Sequence, residues 1–265
     1  MKILGILNVT DDSFSDGGKF LDPAAAIAQA DRLMAEGADV IDIGAASSNP
    51  AAKPVAPEAE IARLAAILPA LKAKGVPVSV DSFAPPVQRW ALAQGVDWLN
   101  DIHGFADASL YPALAASECR LIVMHMVQAE GVAVRTEVPP AEIFDRVTAF
   151  FDARIAALTA AGIAAGRLVL DPGMGQFVGA DPQNSLILLR RLPELKARYG
   201  LPILISVSRK GFLRKLVDRP IARSGAATLA AELFAARQGA DHLRTHDAAA
   251  LRDGLKILES LGEPR

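Results

Sequence analysis

Eight short runs rich in Val, Ile and Leu, at 3–8, 39–43, 76–80, 97–100, 120–125, 167–170, 202–207 and 241–246, punctuate this 265-residue chain. Their hydrophobicity is continuous rather than alternating, as in strands buried on both faces. Between them lie Ala/Leu/Glu/Arg-rich stretches with helical spacing, among them Ala24 to Glu36, Pro57 to Ala73, Pro140 to Ala161, Ser185 to Tyr199 and Gly225 to Gln238. A strand-then-helix period builds a parallel sheet covered by helices. Eight units, with no Gly-x-Gly-x-x-Gly after the first strand, favour an α/β (β/α)8 TIM barrel of eight parallel strands with outer helices over the open doubly wound sheet that shares the period. No Pro/Gly/Ser-rich linker or shift of composition marks a boundary, so residues 1–265 are expected to form a single domain.

The connections are asymmetric. Glu36-Gly37-Ala38-Asp39, Lys74-Gly75-Val76-Pro77, Gln94-Gly95-Val96-Asp97, Tyr199-Gly200-Leu201-Pro202 and Gln238-Gly239-Ala240-Asp241 place a glycine just past a helix end, where a left-handed cap precedes the next strand. The connections that follow strands are longer: Asn8 to Phe20, Gly44 to Pro57, Met126 to Pro140 and Pro172 to Asn184. Loops at the C-terminal ends of barrel strands carry the chemistry of this architecture.

Composition narrows the partners. A formal charge of −2 offers no broad basic field, so nucleic acid is set aside. The first apolar run reaches polar Asn8 too soon for a signal core or a membrane span, and the single cysteine, Cys119, cannot form an internal disulfide. A cytoplasmic protein without membrane attachment is expected.

Several runs end in a side chain that can bond or titrate, and in a parallel barrel all such ends open on one mouth. Asp81 and Asp171 could each accept two adjacent N–H donors from an aminopyrimidine-like heterocycle, and Asn100 offers a donor and an acceptor to the same ring. Taken singly, each could equally cap the following helix. Lys210, after Ser208-Arg209, and Arg244 with His246 gather cationic donors at the seventh and eighth strands, the corner that often holds phosphate in barrels. Cations in a first helical turn oppose the helix dipole, which calls for a local reason. The first loop, Asn8 to Gly18, is dense in oxygen ligands, and its strand-tip residue Asn8 is the best candidate for Mg²⁺; Phe14 in that loop is an exposed aromatic suited to covering a ligand. His103 and His125 are as well explained by structure as by catalysis. No Cys/His cluster has zinc spacing, and Ser208 has no evident His/Asp partner in the sequence.

Gly5-Ile6-Leu7-Asn8-Val9-Thr10 with Asp12-Ser13-Phe14-Ser15-Asp16-Gly17-Gly18, Val80-Asp81-Ser82-Phe83, Leu99-Asn100-Asp101-Ile102, Asp171-Pro172-Gly173, Ser208-Arg209-Lys210 and Arg244-Thr245-His246 stand in the order and spacing of a known family. The chain resembles the dihydropteroate synthases along nearly its whole length. The resemblance implies a homodimeric barrel that joins 6-hydroxymethyl-7,8-dihydropterin diphosphate to p-aminobenzoate in folate synthesis. Asp81, Asn100, Asp171 and Lys210 would hold the pterin; Asn8, Arg244 and His246 the diphosphate, with Mg²⁺ at Asn8; Ser48, Ser208 and Phe177 would border the p-aminobenzoate. Asp81, Lys210 and Arg244 would be the catalytic residues. A methyltetrahydrofolate-type methyltransferase or a non-catalytic pterin-binding protein are the alternatives, the former having no need of a diphosphate corner.

The chain also departs from the family pattern. Ala45-Ala46-Ser47-Ser48-Asn49-Pro50-Ala51 stands where Gly-Glu-Ser-Thr-Arg-Pro-Gly is usual, so Asn49 replaces a loop arginine. Gly175-Gln176-Phe177-Val178-Gly179 replaces Gly-Phe-Gly-Lys and is longer. Both changes resemble the sulfonamide-insensitive branch of the family, and Phe177 is the position where a side chain could exclude the drug.

Overall fold

A computed structural model describes residues 1–10, 22–46, 54–128, 131 and 136–262. Eight strands, β1 (Lys2–Asn8), β2 (Val40–Gly44), β3 (Val78–Asp81), β4 (Trp98–Asp101), β5 (Arg120–Met124), β6 (Leu168–Asp171), β7 (Leu204–Ile205) and β8 (His242–Thr245), form one parallel sheet. Its order is β6-β5-β4-β3-β2-β1-β8-β7. The remaining seam closes through a bridge between Leu170 and Ile203, where the Leu170 N–H donates to the Pro202 carbonyl at 2.8 Å. The result is the expected (β/α)8 barrel.

Helices cover it: α1 (Pro23–Ala35), α2 (Pro57–Ala65), α3 (Leu68–Ala73), α4 (Pro85–Ala93), α5 (Tyr111–Ala115), α6 (Ile143–Ala160), α7 (Pro182–Arg190), α8 (Leu192–Tyr199), α9 (Gly211–Val217), α10 (Gly225–Arg237) and α11 (Ala248–Ser260). Two helical stretches expected to be continuous, 57–73 and 185–199, are each broken in two. Pro69 and Pro193 explain both breaks: neither has an N–H for the carbonyl four residues back, and each ring would strike it. Between helix and strand the glycines behave as expected, Gly75 and Gly200 taking φ of 70° and 61°.

Side chains alternate across each strand, and this parity organises the whole barrel. One set, including Ile3, Leu7, Ile41, Ile43, Val80, Leu99, Val123, Leu170 and Leu243, is buried against the helices. The opposite set begins, at the N-terminal end, with Leu4, Val40, Trp98, Ile122, Val169 and Leu204, a separate apolar cluster that fills the interior. Trp98 stands beside small Ser79 in register and meets His242 edge-on at 5.3 Å, so one large ring occupies room its neighbours leave. The floor is therefore packed and mostly apolar. Two residues further along, inward positions of five strands are polar, Asp42, Asp81, Asn100, Asp171 and Arg244, while Ile6 and Met124 stay apolar.

Truncating Trp98→Ala should open a cavity in this floor and lower unfolding free energy by about 3–5 kcal/mol. Urea denaturation of both proteins measures it; a loss below about 1 kcal/mol would show that the ring does not support the floor.

Candidate active site

Arg244 is the centre of the polar layer. Its Nε donates to Asp42 Oδ2 at 2.5 Å and its Nη2 to Asp81 Oδ2 at 2.8 Å, joining β8 to β2 and β3 across the interior. Nη1 is left without a partner among the described residues. Burial works against the guanidinium charge, but Asp42 and Asp81 outweigh it and hold the group more firmly protonated than usual. Asp42 has no exposed surface at all, and sequence reasoning missed it. The signal was present: an acid inside the run Val40-Ile41-Asp42-Ile43 must face either the helices or the barrel interior, and an unpaired carboxylate fits neither.

Around this pair of ion pairs, polar atoms lack partners. Asp42 Oδ1 and Asn100 Oδ1, on β2 and β4, are buried with no hydrogen-bond partner among the described residues, as is Ser79 Oγ one layer below, beside Trp98. Such atoms are rare in a stable interior, and together they describe a surface awaiting the donors of a ligand. Asp171, 2 % exposed, accepts only the Gly173 N–H at 2.8 Å among the described residues. Gly173 cannot carry a side chain, since its φ is 75° and a Cβ would lie 2.4 Å from the His125 carbonyl. The turn after β6 is thereby fixed where it presents Asp171.

The electrostatics of the cup favour neutral or partly neutral acids. Burial, the largest influence, pushes Asp81 up to about 7 against the pull of Arg244, and pushes Asp171 up to about 6 against the Gly173 N–H and Lys210. Burial and then Arg244 bring Lys210 down to about 8, although Asp171 and Asp81 attract its charge. The Lys210 ammonium lies 4.5 Å from the centre of the Phe177 ring, a cation–π contact. Phe177 in turn packs with Ile102, Met124 and Met126, with Phe83 against them, so an apolar wall rises beside the polar floor.

Ser208 and His246 form the rim after β7 and β8. Ser208 has a histidine partner that the sequence did not make evident: its Oγ lies 2.9 Å from His246 Nδ1 and accepts the His246 backbone N–H at 3.1 Å. Nor is His246 a cation, as grouping it with Arg244 implied. Burial, followed by repulsion from Arg209, Arg244 and Lys210, holds its imidazole well below the usual range, so it is neutral. Asn8 ends β1 opposite Gly44 of β2, with its Oδ1 over the bare glycine.

The expected residues Asp81, Asn100, Asp171, Lys210 and Arg244 thus share one interior, with Phe177, Ser208 and His246 at its wall and rim and Asn8 at the tip of β1. Ser48, Asn49 and Phe14 lie outside the described residues. The other two candidate histidines are structural. His125 Nδ1 faces the Pro172 carbonyl at 3.1 Å and burial pushes it down to about 4, while His103 Nε2 contacts the Gly131 carbonyl at 2.7 Å. Asp101, of opposite parity to Asn100, caps the turn beyond β4 by accepting the N–H groups of His103 and Phe105.

A model of pterin binding enzymes matches residues 4–246, which include every described residue of this cup. The chain belongs to that family. It is 61 % identical to a dihydropteroate synthase type-2 of Escherichia coli over 261 residues, covering 98 % of this chain and 96 % of the relative. A dihydropteroate synthase of Xanthomonas albilineans solved with 4-aminobenzoic acid superposes with a TM-score of 0.88 at 36 % identity, covering 100 % of this chain and 94 % of that one. The enzyme of the same organism in complex with 7,8-dihydropteroate gives 0.84 at 35 % identity, with the same coverage.

The raised acids have a consequence for stability. A carboxyl whose pKa is higher folded than unfolded favours the native state below its unfolded pKa, and that contribution disappears as pH rises through the folded value. For Asp171 the loss spans pH 3.8 to about 6, and for Asp81 pH 3.8 to about 7. Thermal denaturation of the ligand-free protein should therefore show a shallower stability loss over this window in Asp171→Asn than in the parent. Parallel profiles would contradict a raised Asp171.

Proposed function

We propose that this protein is a dihydropteroate synthase, condensing 6-hydroxymethyl-7,8-dihydropterin diphosphate with p-aminobenzoate to give 7,8-dihydropteroate and diphosphate, in the cytoplasm. The observation that carries the reading is the orphaned polar set of the cup: Asn100 Oδ1 unbonded, Asp171 with one donor, and Lys210 beside them. A flat heterocycle edged with N–H donors and ring acceptors satisfies all three. The identity with dihydropteroate synthases over nearly the full chain supports the same conclusion.

On this reading Asp171 and Asn100 grip the pterin edge, Lys210 bonds its acceptor side, and Asp81 lies where positive charge develops on the pterin methylene as diphosphate departs. A preformed carboxylate stabilises that charge without reorganisation. Arg244 is held from behind by Asp42 and Asp81, so it offers the leaving anion directed N–H bonds from a fixed position. Neutral His246 acts there as a hydrogen-bond donor. Among the described residues no group of three His, Cys, Asp or Glu could enclose a metal. That donor set still fits Mg²⁺, which keeps its waters and needs one or two protein oxygens; Asn8 would supply one, and the ion would neutralise the departing diphosphate.

Ser208 and Phe177 border the arylamine, and we extend this to sulfonamide insensitivity. Phe177 is 8 % exposed and its backbone carbonyl is fixed by the Val127 N–H at 2.9 Å, so the ring cannot easily withdraw from a bulkier sulfonyl group. A homodimer belongs to the same reading: Ile257 on α11, Leu261 just past its end and Phe234 on α10 stay 61 %, 72 % and 39 % exposed, and the two helices pack together. No helix among the described residues is long and apolar enough to cross a membrane.

Steady-state assay of dihydropteroate formation with Mg²⁺ tests the activity, and Asp171→Ala should abolish turnover together with pterin binding; near-normal rates would refute that assignment. In the same assay a sulfonamide inhibition constant similar to the p-aminobenzoate KM would refute insensitivity.

A further inference from the structure

At the ends of β1 and β2 the Val9 N–H donates to the Gly44 carbonyl at 2.8 Å, the last bond of their ladder among the described residues. Val9 and Ala45 are buried just beyond it, and among the described residues no backbone N–H donates to either carbonyl. Buried carbonyls need donors. Arg63 of α2 supplies one, its Nη1 donating to the Ala45 carbonyl at 2.8 Å and to the Val9 carbonyl at 3.5 Å. Glu60 lies three residues earlier, on the same face of the helix, and is 4 % exposed although Glu58 and Ala59 face solvent. Its Oε2 accepts the Ser82 hydroxyl at 2.9 Å. Ser82, directly after Asp81, is bonded through its backbone as well: its N–H donates to the Asn100 carbonyl at 3.1 Å, and its carbonyl accepts the Gln88 side-chain amide at 2.8 Å. Its Oγ also accepts the Ala84 N–H at 3.2 Å.

We propose that Glu60 and Arg63 are positioning residues that hold, from one face of α2, the C-terminal ends of β1, β2 and β3, and so fix Asn8 and Asp81 on either side of the bond that breaks. The three strands are neighbours in the sheet, so one helix can reach all of them. Asn8 precedes Val9 and Asp81 precedes Ser82, which puts each held peptide one residue from a side chain of the site. On the synthase reading, on which this inference rests, Asn8 serves the diphosphate and Asp81 the methylene that becomes positive. Both act by position, because preorganised groups stabilise developing charge only where they already stand. The groups that grip the pterin ring, Asn100, Asp171 and Lys210, come from β4, β6 and the loop after β7, other strands than the three held here. A helix that needed only to pack could do so with hydrocarbon, as α2 does through Leu64. Charged groups cost desolvation when buried, and what they add is direction.

Calorimetric titration with 6-hydroxymethyl-7,8-dihydropterin, which has no diphosphate, and with its diphosphate in the presence of Mg²⁺ gives the affinity that the diphosphate adds, without turnover. Arg63→Met should lose that added affinity roughly tenfold while binding the diphosphate-free pterin within about twofold of the parent. Arg63→Lys, which can still donate to one carbonyl, should show a smaller loss, and it carries the test if Arg63→Met does not fold. Glu60→Leu should bind the diphosphate-free pterin as the parent does and lower kcat roughly tenfold, with Glu60→Gln, whose side-chain carbonyl still accepts the Ser82 hydroxyl, close to the parent. Ser82→Ala removes the same bond from its other end and takes the place of Glu60→Leu if that protein does not fold. Equal losses for both pterins in the Arg63 variants, or none for either, overturn the role of Arg63. An unchanged kcat in folded Glu60→Leu or Ser82→Ala overturns that of Glu60. Absence of dihydropteroate formation by the parent would instead overturn the synthase reading, while the affinities of the Arg63 variants would still decide whether that residue positions the diphosphate side.

Discussion

The ion pairs from Arg244 to Asp42 and Asp81 are the constraint around which this barrel is arranged. Three charged groups inside a protein are tolerable only when geometry lets each offset another, because desolvation penalises every unpaired one. Strand parity supplies that geometry. Arg244, Asp42 and Asp81 occupy inward positions of β8, β2 and β3, and the strand order places β1 between the first two, so a long guanidinium spans the gap. With the cation engaged on both sides, none of the three groups is left without a charged partner beneath the partnerless oxygens of the layer.

Below this layer the barrel is mostly apolar, with Ser79 and His242 beside Trp98 as its polar members, and the contrast matters chemically. The apolar floor around Trp98 excludes water from one side of the cup, which raises the acids and lowers Lys210 together. Shifts in opposite directions on neighbouring acid and base bring both toward neutrality, so protons can be exchanged within the cup at little cost. The apolar wall of Ile102, Met124, Met126 and Phe177 continues that exclusion upward on one side only. An aromatic ring entering the site meets a wet, hydrogen-bonding edge and a dry face at once.

Much of this was legible beforehand because buried parallel strands are continuous apolar runs, and all eight fall where such runs stand, even β7, whose regular ladder is only Leu204–Ile205. Helix continuity was less legible: the periodicity of 57–73 and 185–199 survives across Pro69 and Pro193, while the backbone does not. At the site, residues at strand ends announced themselves, whereas Asp42, two positions before the end of β2, was hidden within its hydrophobic neighbours. Contacts between side chains on successive strands, such as Ser208 with His246, are not encoded in spacing, since 38 residues separate the pair.

The barrel is not equally stitched around its circumference. Between β6 and β7 the ladder shrinks to the single bridge of Leu170 with Ile203. Asp171 stands at the end of one of these strands and Lys210 in the loop that leads from the other to α9. A molecule held by both residues would therefore act as a rivet across the thinnest join, and occupancy of the cup would tighten the ring of strands as a whole.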